Sequence, residues 1–178
     1  MLTDLYQLTM AYGYWRNGIG QRRAVFDLFF RRNPFGGEYT IFAGLHEALN
    51  YLESFRFDDE SIAWLRRLPN FRHADAAFWD WLSALDTSEL TVDAVAEGSP
   101  VFPRVPLLRV QGPLAIAQIV ETALLNIINF STLIATNAAR IRQVVGDDVE
   151  LMEFGLRRAQ GPDGALTATR SAIIGGFD

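Results

Sequence analysis

The sequence predicts an α/β fold, and three observations predict it. Short strand-like runs alternate with amphipathic helical stretches along the 178 residues. Hydrophobic residues make up 49% and charged residues 21%, enough to bury a core and too apolar for a disordered chain. The last stretch, 149–178, reads as strand, turn and helix, which is one unit of a parallel α/β arrangement with no later strand. One such unit cannot close a barrel. The expected organisation is a mixed α/β portion over 1–112, a long helical connection over 113–148, and over 149–178 the opening of a further α/β domain whose remainder is missing.

The elements follow in order. Thr3-Asp4 is a helix start, and Leu5, Leu8, Thr9, Tyr12 and Trp15 recur at helical spacing up to Gly18-Ile19-Gly20. Ala24 to Arg31 is strand-like and runs into a Pro34-Phe35-Gly36-Gly37 turn, with Tyr39 to Ala43 as a returning strand. After Gly44, Leu45, Leu49 and Leu52 share a helical face. Asp58-Asp59 caps a short helix through Ile62, Leu65 and Leu68 that stops at Pro69. Phe78, Trp81, Leu82 and Leu85 mark another amphipathic helix.

Leu90 to Ala96 and Pro106 to Val110 read as strands, and prolines at 100, 103 and 106 favour edge positions for them. Gly112-Pro113 opens one long apolar helix, or two stacked ones, from Leu114 to about Val145, stopped by Gly146-Asp147-Asp148. Val149 to Leu156 is strand-like, Gly161-Pro162-Asp163-Gly164 is a turn, and Leu166 to Ile174 is a helix.

Composition excludes several chemistries. There is no cysteine, and all 16 basic residues are arginine. Thiolate nucleophiles, cysteine zinc sites, Schiff-base lysines and phosphate-loop lysines are thereby ruled out within this chain. The net charge of −5 argues against nucleic acid as a partner. Thr122 to Ala139 carries no charge, yet its three asparagines, one serine and three threonines are costly in lipid, so no membrane span is expected. The first ten residues show no secretory signal, and a soluble, cytoplasmic protein is expected. His46 and His73 lack metal-ligand spacing, and the acidic runs at 58–60 and 147–148 read as caps, so no metal site is expected.

The step from Glu153 to Gly161 is the strongest candidate site by pattern, because strand ends in α/β folds face the ligand. Arg157-Arg158 there suits a phosphate or carboxylate. The alternative is a pair of surface ion pairs with Asp147, Asp148 or Glu150. On a strand, adjacent side chains point to opposite faces, so one arginine at most would face the ligand. Tyr6 is either a stacking platform for a flat ring or an ordinary half-buried tyrosine. Arg31 to Gly37 is either an anion cradle or an ordinary hairpin turn. Thr136, Asn137 and Arg140 read as structural hydrogen bonding in the long helix.

Four segments, LTDLYQLTMAYGYW (2–15), FDLFFRRNPFGGEYTIFAGL (26–45), QGPLAIAQIVETALLNIINFSTLIATNAARI (111–141) and EFGLRRAQGPDGALTATRSAIIGGFD (153–178), strongly resemble nicotinate phosphoribosyltransferases. The resemblance implies a mixed α/β N-terminal domain followed by an irregular α/β barrel. It implies condensation of nicotinate with phosphoribosyl pyrophosphate, coupled to ATP hydrolysis with Mg2+, giving nicotinate mononucleotide for NAD synthesis.

By the same resemblance, Tyr6 contacts the pyridine ring, and Arg157 with Leu156 lines the substrate pocket. Arg158, Thr169, Arg170 and the closing residues up to Asp178 match a stretch near the phosphoribosyl site. A homodimer is implied, with Tyr6 serving the partner subunit's pocket. The histidine phosphorylated by ATP is implied to lie beyond residue 178, and neither His46 nor His73 matches it. The chain thus corresponds to roughly the first two-fifths of the family sequence and contains no catalytic residue of its own. Two other readings stand beside this one: a non-catalytic fragment or assembly module of a split enzyme, and the sister activity on nicotinamide or quinolinate. An unclosed barrel would expose apolar edges and favour self-association.

Overall fold

The structure, a computed structural model, describes residues 2–178. In chain order the elements are α1 (Leu5–Arg16), β1 (Arg23–Leu28), β2 (Thr40–Ile41), α2 (Leu45–Ser54), α3 (Asp59–Leu65), α4 (Ala76–Ser83), β3 (Thr91–Ala94), β4 (Pro100–Val101), β5 (Leu108–Pro113), α5 (Leu114–Ile119), α6 (Glu121–Val145) and α7 (Pro162–Ile174). Single 3-10 turns lie at Pro34–Gly36, Pro69–Phe71 and Leu156–Arg158. The predicted mixture of helix and strand is what forms. The chain groups into two compact units interleaved along the sequence. The first holds Met1–Asp27, Leu49–Asp93 and Arg109–Leu124; the second holds Leu28–Ala48, Ala94–Leu108 and Leu125–Asp178.

In the first unit, Asp4 takes an extended conformation at the N-cap of α1 and the Gln7 side chain accepts its N–H at 3.2 Å. Gln7 is fully buried, and its amide donates to the Gln118 carbonyl at 2.8 Å, tying α1 to α5. Asp58 caps α3 by accepting from the Ser61 N–H at 2.6 Å. Of the α4 face set by periodicity, Phe78 and Leu82 are inside, but Trp79 is buried where the spacing predicts Trp81, and Trp81 is only half-buried. Phe78 is fully buried, with the Tyr12 ring edge-on at 4.8 Å and the Trp79 ring at 5.1 Å. The sheet has the order β1-β5-β3. Its central strand, β5, is one whose prolines predicted an edge. The physical reason is placement: Pro106 precedes β5 and Pro113 ends it, so no proline interrupts the ladder between.

In the second unit, β2 pairs antiparallel with β4, Thr40 opposite Val101. The returning strand therefore does not pair with β1, which ends at Leu28 rather than Arg31. The polar residues of α6 hold this ribbon. The Thr136 hydroxyl accepts from the Ile41 N–H at 2.9 Å and donates to the Thr132 carbonyl at 2.6 Å. Thr132 bonds both backbone groups of Ala43, at 3.2 and 3.0 Å. These buried threonines confirm the structural reading for Thr136, whereas Asn137 is exposed. Gly44, at φ +98°, lies where a Cβ would stand 2.9 Å from the Ser131 side chain, so only glycine lets α2 begin this close to α6.

The long apolar run is two helices, broken at Val120 between α5 and α6. By length and composition it could cross a membrane, with a mean hydropathy of 1.5, and half of its most apolar stretch is buried in the fold. The predicted strand at 149–156 does not form: residues 150–155 have no regular structure. Its alternation satisfies the strand pattern, but a strand also needs a ladder partner. Among the described residues none pairs with it, and Asp178 answers both backbone groups of Leu151 instead. α7 starts four residues earlier than predicted, at Pro162, because the expected Gly161-Pro162 turn is its first turn.

Candidate functional site

The site residues suggested by sequence fall into both units. Tyr6 belongs to the first; Leu156, Arg157, Arg158, Thr169, Arg170 and Asp178 belong to the second. Tyr6 stands in the first turn of α1, with 48% of its surface exposed and its hydroxyl donating to Glu121 Oε2 at 3.3 Å. Desolvation, and then the Glu121 carboxylate, push its phenol above the ordinary value. That exposure fits both readings, a half-buried tyrosine and a ring accessible for stacking.

Leu156, Arg157 and Arg158 form the 3-10 turn. Successive side chains in such a turn diverge by about a third of a revolution. The strand argument about opposite faces therefore does not apply to the doublet. Both guanidinium groups are exposed, and neither has an ion-pair partner among the described residues. The proposed surface pairs with Asp147, Asp148 or Glu150 do not form. Phe154 before the turn and Leu156 at its start have 81% and 66% of their surface exposed.

The backbone of this turn is anchored by a residue that sequence pattern did not single out. Glu153 Oε1 accepts the Gly155 N–H, and Glu153 Oε2 accepts the Thr169 hydroxyl of α7 at 2.8 Å. The Gly155 carbonyl then accepts the Arg158 N–H at 2.8 Å, closing the turn. Thr169 thus acts on the loop. The local signal for Glu153 was a carboxylate two residues before a glycine, which is the spacing of a side-chain-closed turn.

Arg170 is committed elsewhere. Its guanidinium meets Glu97 through two bonds of 3.0 and 2.6 Å and Glu47 at 3.4 Å. Glu97 also accepts the N–H groups of Gly44 and Leu45, at 2.7 and 3.0 Å. The Arg170 hydrogen bond, with smaller help from those amides, holds the Glu97 carboxyl below the usual range, and Glu97 in turn raises Arg170. Arg170 therefore ties α7 to the start of α2 through three of its five N–H donors.

Asp178 is likewise engaged. Its carboxylate accepts from the Leu151 N–H at 2.8 Å and from Arg142 Nη2 at 2.6 Å. Those two bonds, the backbone one first, depress its pKa. Arg142 donates further to the carbonyls of Gly176, Gly146 and Val149. The arrangement separates the arginines by use: Arg142 and Arg170 hold the fold, and Arg157 and Arg158 remain open to an anionic ligand. His46 and His73 are exposed, and among the described residues no three His, Cys, Asp or Glu side chains converge on a possible metal position.

Residues 1–129 match the family model described as the nicotinate phosphoribosyltransferase (NAPRTase) N-terminal domain. The chain belongs to the nicotinate phosphoribosyltransferase family. It is 55% identical to nicotinate phosphoribosyltransferase 1 of Arabidopsis thaliana, over all of this chain and 32% of that protein. The crystal structure of human nicotinic acid phosphoribosyltransferase superposes with a TM-score of 0.93 at 51% identity, covering all of this chain and 35% of that one. A nicotinate-nucleotide pyrophosphorylase from Pyrococcus furiosus shares the fold, with a TM-score of 0.72 at 24% identity over 99% of this chain and 36% of its own. The chain spans about a third of the length of the curated nicotinate phosphoribosyltransferases it matches, somewhat less than the two-fifths expected.

Proposed function

We propose that the protein carrying this chain condenses nicotinate with phosphoribosyl pyrophosphate, with ATP hydrolysis, to give nicotinate mononucleotide and pyrophosphate. The observation that carries the proposal is the Arg157 guanidinium of the GLRRAQG motif. It is exposed on a closed turn and lacks a carboxylate partner among the described residues, while Arg142 and Arg170 are each held in an ion pair. A guanidinium fork matches the nicotinate carboxylate bidentately. Tyr6 offers a flat, half-exposed ring on which a pyridine can stack, fixing the direction of the ring nitrogen. Displacement of pyrophosphate builds positive charge on the ribosyl carbon and negative charge on the leaving group. Arg158 is the remaining open cation of the turn and suits the phosphoribosyl end of the pocket.

Magnesium would serve the pyrophosphate in such a reaction. Among the described residues no three His, Cys, Asp or Glu side chains converge to hold it, and no step is assigned to it through this chain.

Kinetics of the full-length protein test the reading. Arg157→Ala and Tyr6→Ala should each lower kcat/KM for nicotinate on the order of a hundredfold. Wild-type kinetics in both variants would refute the assignment. In a homodimer with Tyr6 serving the partner subunit's pocket, mixing the two inactive variants should restore about a quarter of full activity, since half the dimers would carry one intact composite site. No recovery on subunit exchange would rule out the shared pocket.

A further inference from the structure

The entry to the turn bearing Arg157 is closed by one side chain, Glu153. Arg157 makes no hydrogen bond or ion pair of its own among the described residues, so its position is set wholly by its backbone. Residues 150–155, which lead into the turn, have no sheet or helix to hold them. Asp178 ties the start of this stretch at Leu151, and Glu153 holds the end that enters the turn. One carboxylate oxygen accepts the Gly155 N–H and the other accepts the Thr169 hydroxyl at 2.8 Å. The Thr169 hydroxyl also lies 3.1 Å from the Ala165 carbonyl, but it has a single proton, and the carboxylate is the stronger acceptor.

Thr169 stands in the third turn of α7, where the helix is itself pinned by Arg170 on Glu97. The path from a fixed element to the guanidinium is therefore short: α7, Thr169, Glu153, Gly155, Arg157. Gly155 completes it from the other side. A Cβ there would fall 2.6 Å from Glu153 Oε1, so any larger residue displaces the carboxylate from the amide it closes on.

We propose that Glu153 is a positioning residue for Arg157, acting by bridging Thr169 of α7 to the Gly155 N–H at the start of the turn. The inference rests on Arg157 being the nicotinate-carboxylate ligand. A carboxylate ligand that binds substrate and transition state alike is felt in KM, so a misplaced Arg157 shows there first. Glutamine retains the essential geometry, because its oxygen can accept from Gly155 and its amide can donate to the Thr169 oxygen, freeing that hydroxyl for Ala165.

The test is steady-state kinetics with separate titration of both substrates in the full-length protein. Glu153→Ala should raise KM for nicotinate about tenfold, with kcat and the KM for phosphoribosyl pyrophosphate within about twofold of wild type. Glu153→Gln should recover most of that loss. Gly155→Ala should raise the nicotinate KM in the same direction, and the Glu153→Ala/Gly155→Ala double variant should be no worse than the poorer single one, since both break one contact. If Arg157→Ala impairs nicotinate binding and Glu153→Ala does not, the positioning role is overturned and the site assignment stands. A Glu153→Ala variant whose kcat and melting temperature fall together, with both KM values unchanged, reduces Glu153 to a fold contact and also overturns it. A silent Arg157→Ala removes the assignment itself, and this inference with it.

Discussion

Arg142→Ala is the most informative stability test of the second unit. The side chain is 15% exposed and makes four hydrogen bonds, to the carbonyls of Gly176, Gly146 and Val149 and to the Asp178 carboxylate. It thereby joins the end of α6, the segment after it and the chain beyond α7. Each charge-assisted bond of this kind is worth about 1.5–3 kcal/mol in isolation, but the four do not add. Asp178 is 52% exposed, so water can re-solvate it once the arginine is gone. The expected net loss is about 3 kcal/mol, at the upper end of ordinary single-residue losses. For a chain of this length that corresponds to a fall in Tm of about 6–12 °C by calorimetry. Arg142→Lys should recover only part of it, because one ammonium cannot span acceptors that the planar fork reaches. Hydrogen exchange should show the amides of 149–151 and 176–178 opening in the alanine variant. A Tm within about 2 °C of wild type would show that the clamp is not what stabilises this end of the chain.

Acid should act through the same residue cluster. The folded Asp178 carboxyl is depressed, so its contribution is fully present above the unfolded carboxylate pKa and is lost as pH falls through the folded value. Asp178→Asn should therefore flatten the decline in Tm below about pH 4, and an unchanged acid slope would contradict the assignment. Thr136→Val removes the acceptor for the Ile41 N–H while keeping the shape, and should cost about 1–2 kcal/mol in urea unfolding. A neutral result would mean that water replaces the hydroxyl there.

Local chemistry made much of the fold legible. The caps at Asp4 and Asp58, the α4 periodicity and the proline that opens α5 all act within one helical turn of themselves. What stayed illegible was non-local. Glu97 meets Arg170 across 73 positions and Arg142 meets Asp178 across 36, and no spacing rule connects such partners. The strand predicted at 149–156 failed for the same reason, since alternation describes a face but not the neighbour that face requires. At the candidate site, the arginine doublet and Tyr6 could be singled out from residue type, and the family resemblance supplied their roles. The distinction between open Arg157 and engaged Arg170 needed coordinates, because both are arginines in the same motif.

The apolar collar around the 3-10 turn has an electrostatic consequence. Phe154 and Leu156 stand largely in water on either side of Gly155, immediately before the two unpaired guanidinium groups. While they are wet, an anion at Arg157 competes with bulk solvent and dissolved salt, and the attraction is weak. Any surface that settles onto those two side chains expels water from the same few ångströms that the cation occupies. The local dielectric then falls and the same charge pulls harder, with less sensitivity to ionic strength. Covering the collar therefore sets the strength of the anion site without touching the arginine.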